Sequence, residues 1–203
     1  MRKILLASGG LTLRLQNHFL EQIGKEPSNI RILFVPTAAM CSDNAKEYIC
    51  FSLEHFTDIG ILPENIFMYH LGYLLSENYN PHFRQSAETP PFLRLLSLCE
   101  MNKYDVLFLL GGDARFLMDE INRTGFNKTA KKAIDSGLFY FGVSAGSMVA
   151  CGNFADSLGY VKNPIEVHCE QGTPCGVLPK EGEVYLTDTQ AIWIDNDIAQ
   201  IIE

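Results

Sequence analysis

The sequence predicts an α/β three-layer sandwich: a mainly parallel central sheet, helices on both faces and an antiparallel hairpin at one edge. Three observations predict it. Short apolar runs alternate with helix-like stretches along the chain. Those runs are apolar at successive positions, as strands buried on both faces must be, whereas half-exposed strands would alternate. Near the C-terminal end two runs follow each other across a short turn. With 203 residues, 47% of them hydrophobic and 20% charged, the chain fills one core well and two poorly. Residues 1–203 are therefore expected to form a single domain.

The elements follow in order. Lys3 to Ala7 reads as a short buried strand ending in Ser8-Gly9-Gly10. Leu13 to Ile23 places Leu13, Leu15, Phe19, Leu20 and Ile23 close to a helical period. Ile30 to Val35 is the next strand, stopped by Pro36. Asp43 or Asn44 is placed to cap a helix running to about Phe56. Asn65 to Tyr69 is strand-like. Ser76 to Pro91 is polar and carries Pro81, Pro90 and Pro91, so it reads as an excursion or mobile loop. A helix is expected from Phe92 to Met101, then a strand from Asp105 to Leu110. Ala114 to Ile121 and Asn127 to Asp135 read as helices, and Gly137 to Phe141 as a buried strand. Glu183 to Leu186 and Ala191 to Ile194, joined by Thr187-Asp188-Thr189-Gln190, are expected to form the edge hairpin.

Composition excludes several function classes. A formal net charge of −8 argues against nucleic acid or an anionic membrane surface as partner, since either needs a basic face. The apolar run after Met1-Arg2-Lys3 is too short for a signal peptide, and no run approaches a membrane span. A cytoplasmic location is the expectation. Six cysteines without C-x-x-C spacing are then expected as free thiols. His168 with Cys169 and Cys175 is the one conceivable metal set, and it ranks below the reading without a metal.

Chemistry enters at Phe141-Gly142-Val143-Ser144-Ala145-Gly146-Ser147-Met148. A serine between glycines, directly after a buried strand and before a helix start, fits the nucleophile-elbow pattern G-x-S-x-G. At such a corner the side chain is pushed outward and the adjoining backbone N–H groups point the same way. In an open α/β sheet, ligands sit beyond the carboxyl ends of the strands. Gly111-Gly112-Asp113 leaves its strand at that edge, and Asp113 is placed to cap the following helix. Free N–H groups there, beside Ser144, would hold an oxyanion. A serine also needs a base. Of five histidines, His18 and His55 fall on helices, His82 in the polar excursion, and His70 after a strand without supporting neighbours. His168, after Pro164 to Val167, is the favoured base.

These stretches together resemble the peptidase E family of serine peptidases, which also holds the cyanophycinases. The resemblance is carried by Lys3 to Gly10, Ile32 to Ala39, Leu109 to Asp113, Gly142 to Ser147 and Tyr185 to Ile192. It implies a fold similar to class I glutamine amidotransferases, with serine in place of their cysteine. It further implies Ser144 as nucleophile, His168 as base, and an oxyanion hole from Ala145 and the Gly112–Asp113 region. No metal or organic cofactor is implied. Peptidase E removes N-terminal aspartate from dipeptides, and cyanophycinases cleave aspartyl–arginine side-chain amides. The chain departs from the family in its acid: the loop between Ser144 and His168 is short and lacks an Asn-Asp pair. Asp156 is the only aspartate within it, with Glu166 and Glu170 as alternatives.

The expected function is therefore a serine-type hydrolase of small peptides, a dipeptidase acting through an acyl-enzyme, with N-terminal aspartyl dipeptides among its candidate substrates. Its partner is a small peptide, and a homodimer is compatible with the reading. A non-catalytic peptide- or small-molecule-binding protein on the same scaffold is the alternative. An α/β-hydrolase esterase fits less well, because its acid precedes the histidine with further strands between. Arg115 and Lys162 are generic candidates for binding a carboxylate.

Overall fold

The structure, a computed structural model, describes residues 1–74 and 89–203. Most of the polar excursion, with His82, lies outside the described residues. The chain runs β1 (Lys3–Ala7), α1 (Leu13–Ile23), β2 (Ile32–Val35), α2 (Ala45–Asp58), β3 (Ile66–Met68), α3 (Leu98–Met101), β4 (Val106–Leu109), α4 (Ala114–Thr124), α5 (Phe126–Asp135), β5 (Phe139–Val143), α6 (Ala145–Met148), β6 (Ile165–Glu166), β7 (Gly176–Val177), β8 (Val184–Tyr185), β9 (Ala191–Asp195) and β10 (Ile198–Ile202).

Eight strands form one sheet in the order β3-β2-β4-β5-β1-β9-β10-β7. The first five are parallel to one another, and β9, β10 and β7 add antiparallel pairings at the far side. Both faces are covered, which is why the strands are apolar throughout. On β4, Leu107 and Leu109 face the core shared with α4 and α5, while Val106 and Phe108 face the core shared with α1 and α2. The second core is strongly aromatic. Phe108 meets Phe56 of α2 and Phe141 of β5 at ring-centroid distances of 4.9 and 5.1 Å, both edge to face, a favourable aromatic geometry.

Two expected elements are corrected. The helix expected from Phe92 is confined to Leu98–Met101, because Pro91–Leu93 make only a single 3-10 turn that stops at an extended Arg94. The true start is Ser97, whose hydroxyl accepts from the Glu100 N–H while the Glu100 carboxylate accepts from the Ser97 N–H, a full capping box. The expected hairpin of Glu183–Leu186 with Ala191–Ile194 also does not form. β8 instead pairs in parallel with β6 in a separate two-stranded sheet. β9 inserts between β1 and β10, and the edge hairpin is β9–β10, turned through Asn196 at φ 54°. Thr187 to Gln190 thus links two sheets, and its position decides where Asp188 goes.

The Glu100 carboxylate has a second task. Arg94 grips both its oxygens at 2.8 and 2.6 Å, with side chains only 13% and 25% exposed. These bonds, ahead of the Ser97 N–H and hydroxyl, hold the Glu100 carboxyl down to about 2 from an ordinary 4.5. A carboxylate held down in the folded state stabilises it above its unfolded value, and that stabilisation fades as pH falls towards the folded value. Glu100→Gln is expected to cost about 1–2 kcal/mol at neutral pH. In urea denaturation the gap to the native chain should shrink as pH falls from 4.5 towards 2. A gap independent of pH would contradict this account.

Candidate active site

β5 runs directly into Ser144, whose φ of 50° and ψ of −109° lie where non-glycine residues are strained by about 1–3 kcal/mol. The surroundings over-determine that conformation. Ser144 N–H donates to the Ala7 carbonyl at 2.9 Å. The buried Ser147 hydroxyl donates to the carbonyls of Ala7 and Gly142 at 2.7 and 2.9 Å, and the Tyr140 hydroxyl donates to the Gly146 carbonyl at 2.6 Å. The two glycines flanking the serine are required by close approach. A Cβ on Gly142 would run into the Gly146 backbone, and one on Gly146 into the Leu109 backbone. Any larger residue would push α6 off the sheet and move the serine with it.

His168 reaches Ser144 from β6. Its Nε2 lies 3.0 Å from Ser144 Oγ, and its Nδ1 lies 2.6 Å from Asp188 Oδ1. An ionised carboxylate can only accept, so Nδ1 carries the hydrogen and Nε2 accepts from the serine hydroxyl. The imidazole is aimed by its own backbone, which is left-handed at φ 60°. The His168 N–H donates to the buried Ser8 hydroxyl at 2.7 Å, and Ser8 in turn donates to the Leu186 carbonyl at 3.3 Å. The loop after β1 thus ties together the segments that carry His168 and Asp188. Gly9 packs against Asp188 so closely that a Cβ there would sit 2.7 Å from the aspartate Cβ. The imidazole and the carboxylate beyond it are open to water, with His168 52% and Asp188 66% exposed.

The structure therefore brings Ser144 and His168 together and leaves Asp156 out. Asp156 accepts from the Asn122 amide, a contact to the end of α4 rather than to the imidazole. Neither Glu166 nor Glu170 bonds His168 either. The carboxylate that does bond the imidazole is that of Asp188, beyond His168 in the chain. It lies outside the segment between Ser144 and His168 altogether. The available signal was the Tyr185–Ile192 stretch, which carries an aspartate just before a strand.

Gly112, Asp113 and Ala145 also divide. Gly112 lies at φ 135°, with its Cα pressed against the Ala38 backbone so that no side chain fits. Asp113 caps α4, its carboxylate accepting from the Phe116 N–H at 2.9 Å. Its own N–H donates to the Ala38 carbonyl at 2.9 Å, so Asp113 has no donor left for an oxyanion. Among the described residues, the N–H groups of Gly112 and Ala145 have no hydrogen-bond acceptor. The Gly111 Cα faces Ser144 closely, a Cβ there falling 3.1 Å from the serine Cβ. Ala145 directly follows Ser144 and Gly112 directly follows Gly111, so both N–H groups belong to backbone close to the serine.

The other candidates lie elsewhere. His70 bonds the Thr37 hydroxyl at 3.1 Å, and burial lowers its pKa. His18 packs edge-on against Trp193. Cys151 is buried, which pushes its thiol far up. Arg115 lies over the Phe154 ring at 5.1 Å, and neither it nor Lys162 lines the cleft at Ser144. Among the described residues no three His, Cys, Asp or Glu side chains converge as metal ligands, and none of the helices is long and apolar enough to cross a membrane.

Residues 86–169, which include Ser144 and His168, match the profile of peptidase family S51. Over that stretch the chain is similar to peptidase family S51. Curated relatives agree over shorter stretches. The uncharacterized peptidase Lmo0363 of Listeria monocytogenes is 36% identical over 56 residues, 28% of this chain and 27% of its own length. The uncharacterized peptidase PM1590 of Pasteurella multocida is 33% identical over 63 residues, 31% of this chain and 28% of its own. The matched stretch thus spans little more than a quarter of these relatives. A likeness of fold to solved structures extends further. A candidate peptidase E protein from Listeria monocytogenes EGD-e superposes with a TM-score of 0.70 at 18% identity, covering 100% of this chain and 98% of that one. A peptidase from an acI-B1 Actinobacterium gives 0.64 at 16% identity, covering 100% and 87%. At such identities the likeness is one of fold.

Proposed function

We propose that this chain is a serine peptidase that cleaves small peptides, dipeptides foremost, through an acyl-enzyme. The observation that carries the reading is the hydrogen-bonded line Ser144–His168–Asp188, at 3.0 and 2.6 Å. It opens on a cleft of about 690 Å³, a volume suited to a ligand of dipeptide size.

In this reading Ser144 Oγ attacks the scissile carbonyl while His168 Nε2 takes the hydroxyl proton. Asp188 holds the ring and stabilises the imidazolium as it forms. The negative charge on the former carbonyl oxygen falls to the N–H groups of Gly112 and Ala145, each donor of this kind being worth about 3–4 kcal/mol where measured. The C–N bond breaks as Nε2 returns its proton to the leaving amine. Water then attacks the ester, again through His168, and releases the acid and the Ser144 hydroxyl. Every proton is accounted for by chain and water.

The alternative of a non-catalytic binder rested on the shortened loop between Ser144 and His168. Asp188 on the imidazole removes that motive. A fluorophosphonate probe tests the reading directly: stoichiometric labelling at Ser144 is expected, with labelling lost in His168→Ala. A folded protein that stays unlabelled at millimolar probe would overturn it.

A further inference from the structure

We infer that the cleft beside Ser144 selects peptides whose acyl residue carries an apolar, preferably aromatic, side chain, and that it disfavours aspartate there. The inference rests on the peptidase reading above and names its substrate class. Three observations on the cleft lead to it.

The floor is aromatic. Phe56, Phe108 and Phe141, each at most 2% exposed, form its base, joined by Leu110 and Val143. The rim is aromatic as well. Tyr48 and Phe51 of α2 remain 47% and 56% exposed, although both belong to the cleft wall. Large rings left in water beside a reactive hydroxyl are the kind of surface that a ligand covers.

Charge gives the second observation. Among the described residues that line the cleft there is no lysine or arginine, and the only carboxylate is Glu47. An aspartyl side chain would lose its water among phenyl rings and find no fixed cation in return, a costly transfer; the basic groups of the lining are two imidazoles, His168, held by Asp188, and His55, stacked on the Phe51 ring at 4.2 Å. Glu47, being exposed, adds only a weak repulsion.

The third is direction. His168 must contact both the attacking oxygen and the leaving nitrogen, so the leaving amine lies on its side. The acyl residue then extends away from His168. α2 follows β2, which lies across β4 from β5 and on the side away from β1, while His168 is tied to the loop after β1. The acyl side chain is thereby delivered to Tyr48 and Phe51.

Binding to Ser144→Ala, measured by calorimetry, tests the inference independently of turnover. Phe-Gly is expected to bind about 10- to 100-fold more tightly than Asp-Gly, the range for covering one aromatic side chain. Phe51→Ala in the same background should erase about tenfold of that preference, and because Phe51 is exposed the variant should fold. Equal or tighter binding of Asp-Gly would overturn the inference. So would a Phe51→Ala protein that binds both peptides as before but dissociates from dimer to monomer in sedimentation, since the rings would then serve a second copy of the chain. Failure of the peptidase reading looks different: the native protein would bind Phe-Gly, yet neither hydrolyse it nor take up a fluorophosphonate.

Discussion

Ser144→Ala is expected to lower kcat on a small-peptide panel by about 10⁴- to 10⁶-fold, the loss typical of removing a serine nucleophile. Affinity for the peptide should change little, because the cleft walls and the unengaged N–H groups of Gly112 and Ala145 stay in place. Folding should survive too. The backbone at 144 is fixed from outside by its own N–H bond to Ala7 and by Ser147, not by the serine hydroxyl. Ser144→Gly sharpens the test. Glycine accepts a φ of 50° without steric cost, so this variant should be equally inactive and at least as stable as the native chain. Turnover that persists unchanged in either variant would remove Ser144 from the chemistry.

The second large effect separates the two aspartates. Asp188→Ala is expected to cut kcat by about 10³- to 10⁴-fold, since an unheld imidazole populates the wrong tautomer and its protonated form loses a countercharge. Asp156→Ala should leave kcat within about twofold, because its carboxylate is bonded to Asn122 and is not part of the line to Ser144. Parallel kcat measurements on the two proteins decide the matter. A silent Asp188→Ala together with a crippled Asp156→Ala would reverse the assignment.

The contrast explains what could be read from the residues. The parallel strands were legible because their apolar runs are continuous, and β1, α1 and β5 occupy nearly the stretches expected. Ser144 was legible because G-x-S-x-G is a local pattern whose glycines answer to local crowding. His168 was weaker, resting on position after a strand and on the resemblance. Asp188 was not legible by proximity. Its place depends on β9 inserting beside β1, a long-range pairing of Ala191–Asp195 with Lys3–Ala7 that no short window encodes. The hairpin expected from Glu183–Leu186 failed for the same reason, since β8 found its partner in β6. Asp113 shows the opposite limit. Its capping role was local and legible, but the capture of its N–H by Ala38 belongs to the tertiary structure.

The openness of the Asp188 carboxylate, two-thirds in water, has a practical corollary. An acid sealed in a core cannot be replaced from outside, whereas the space vacated in Asp188→Ala lies within reach of dissolved anions. Formate added to that variant should revive hydrolysis in a saturable way, and larger carboxylates should do so less well. A rate indifferent to formate would mean that the anchorage of the aspartate, and not merely its charge, is what the imidazole needs.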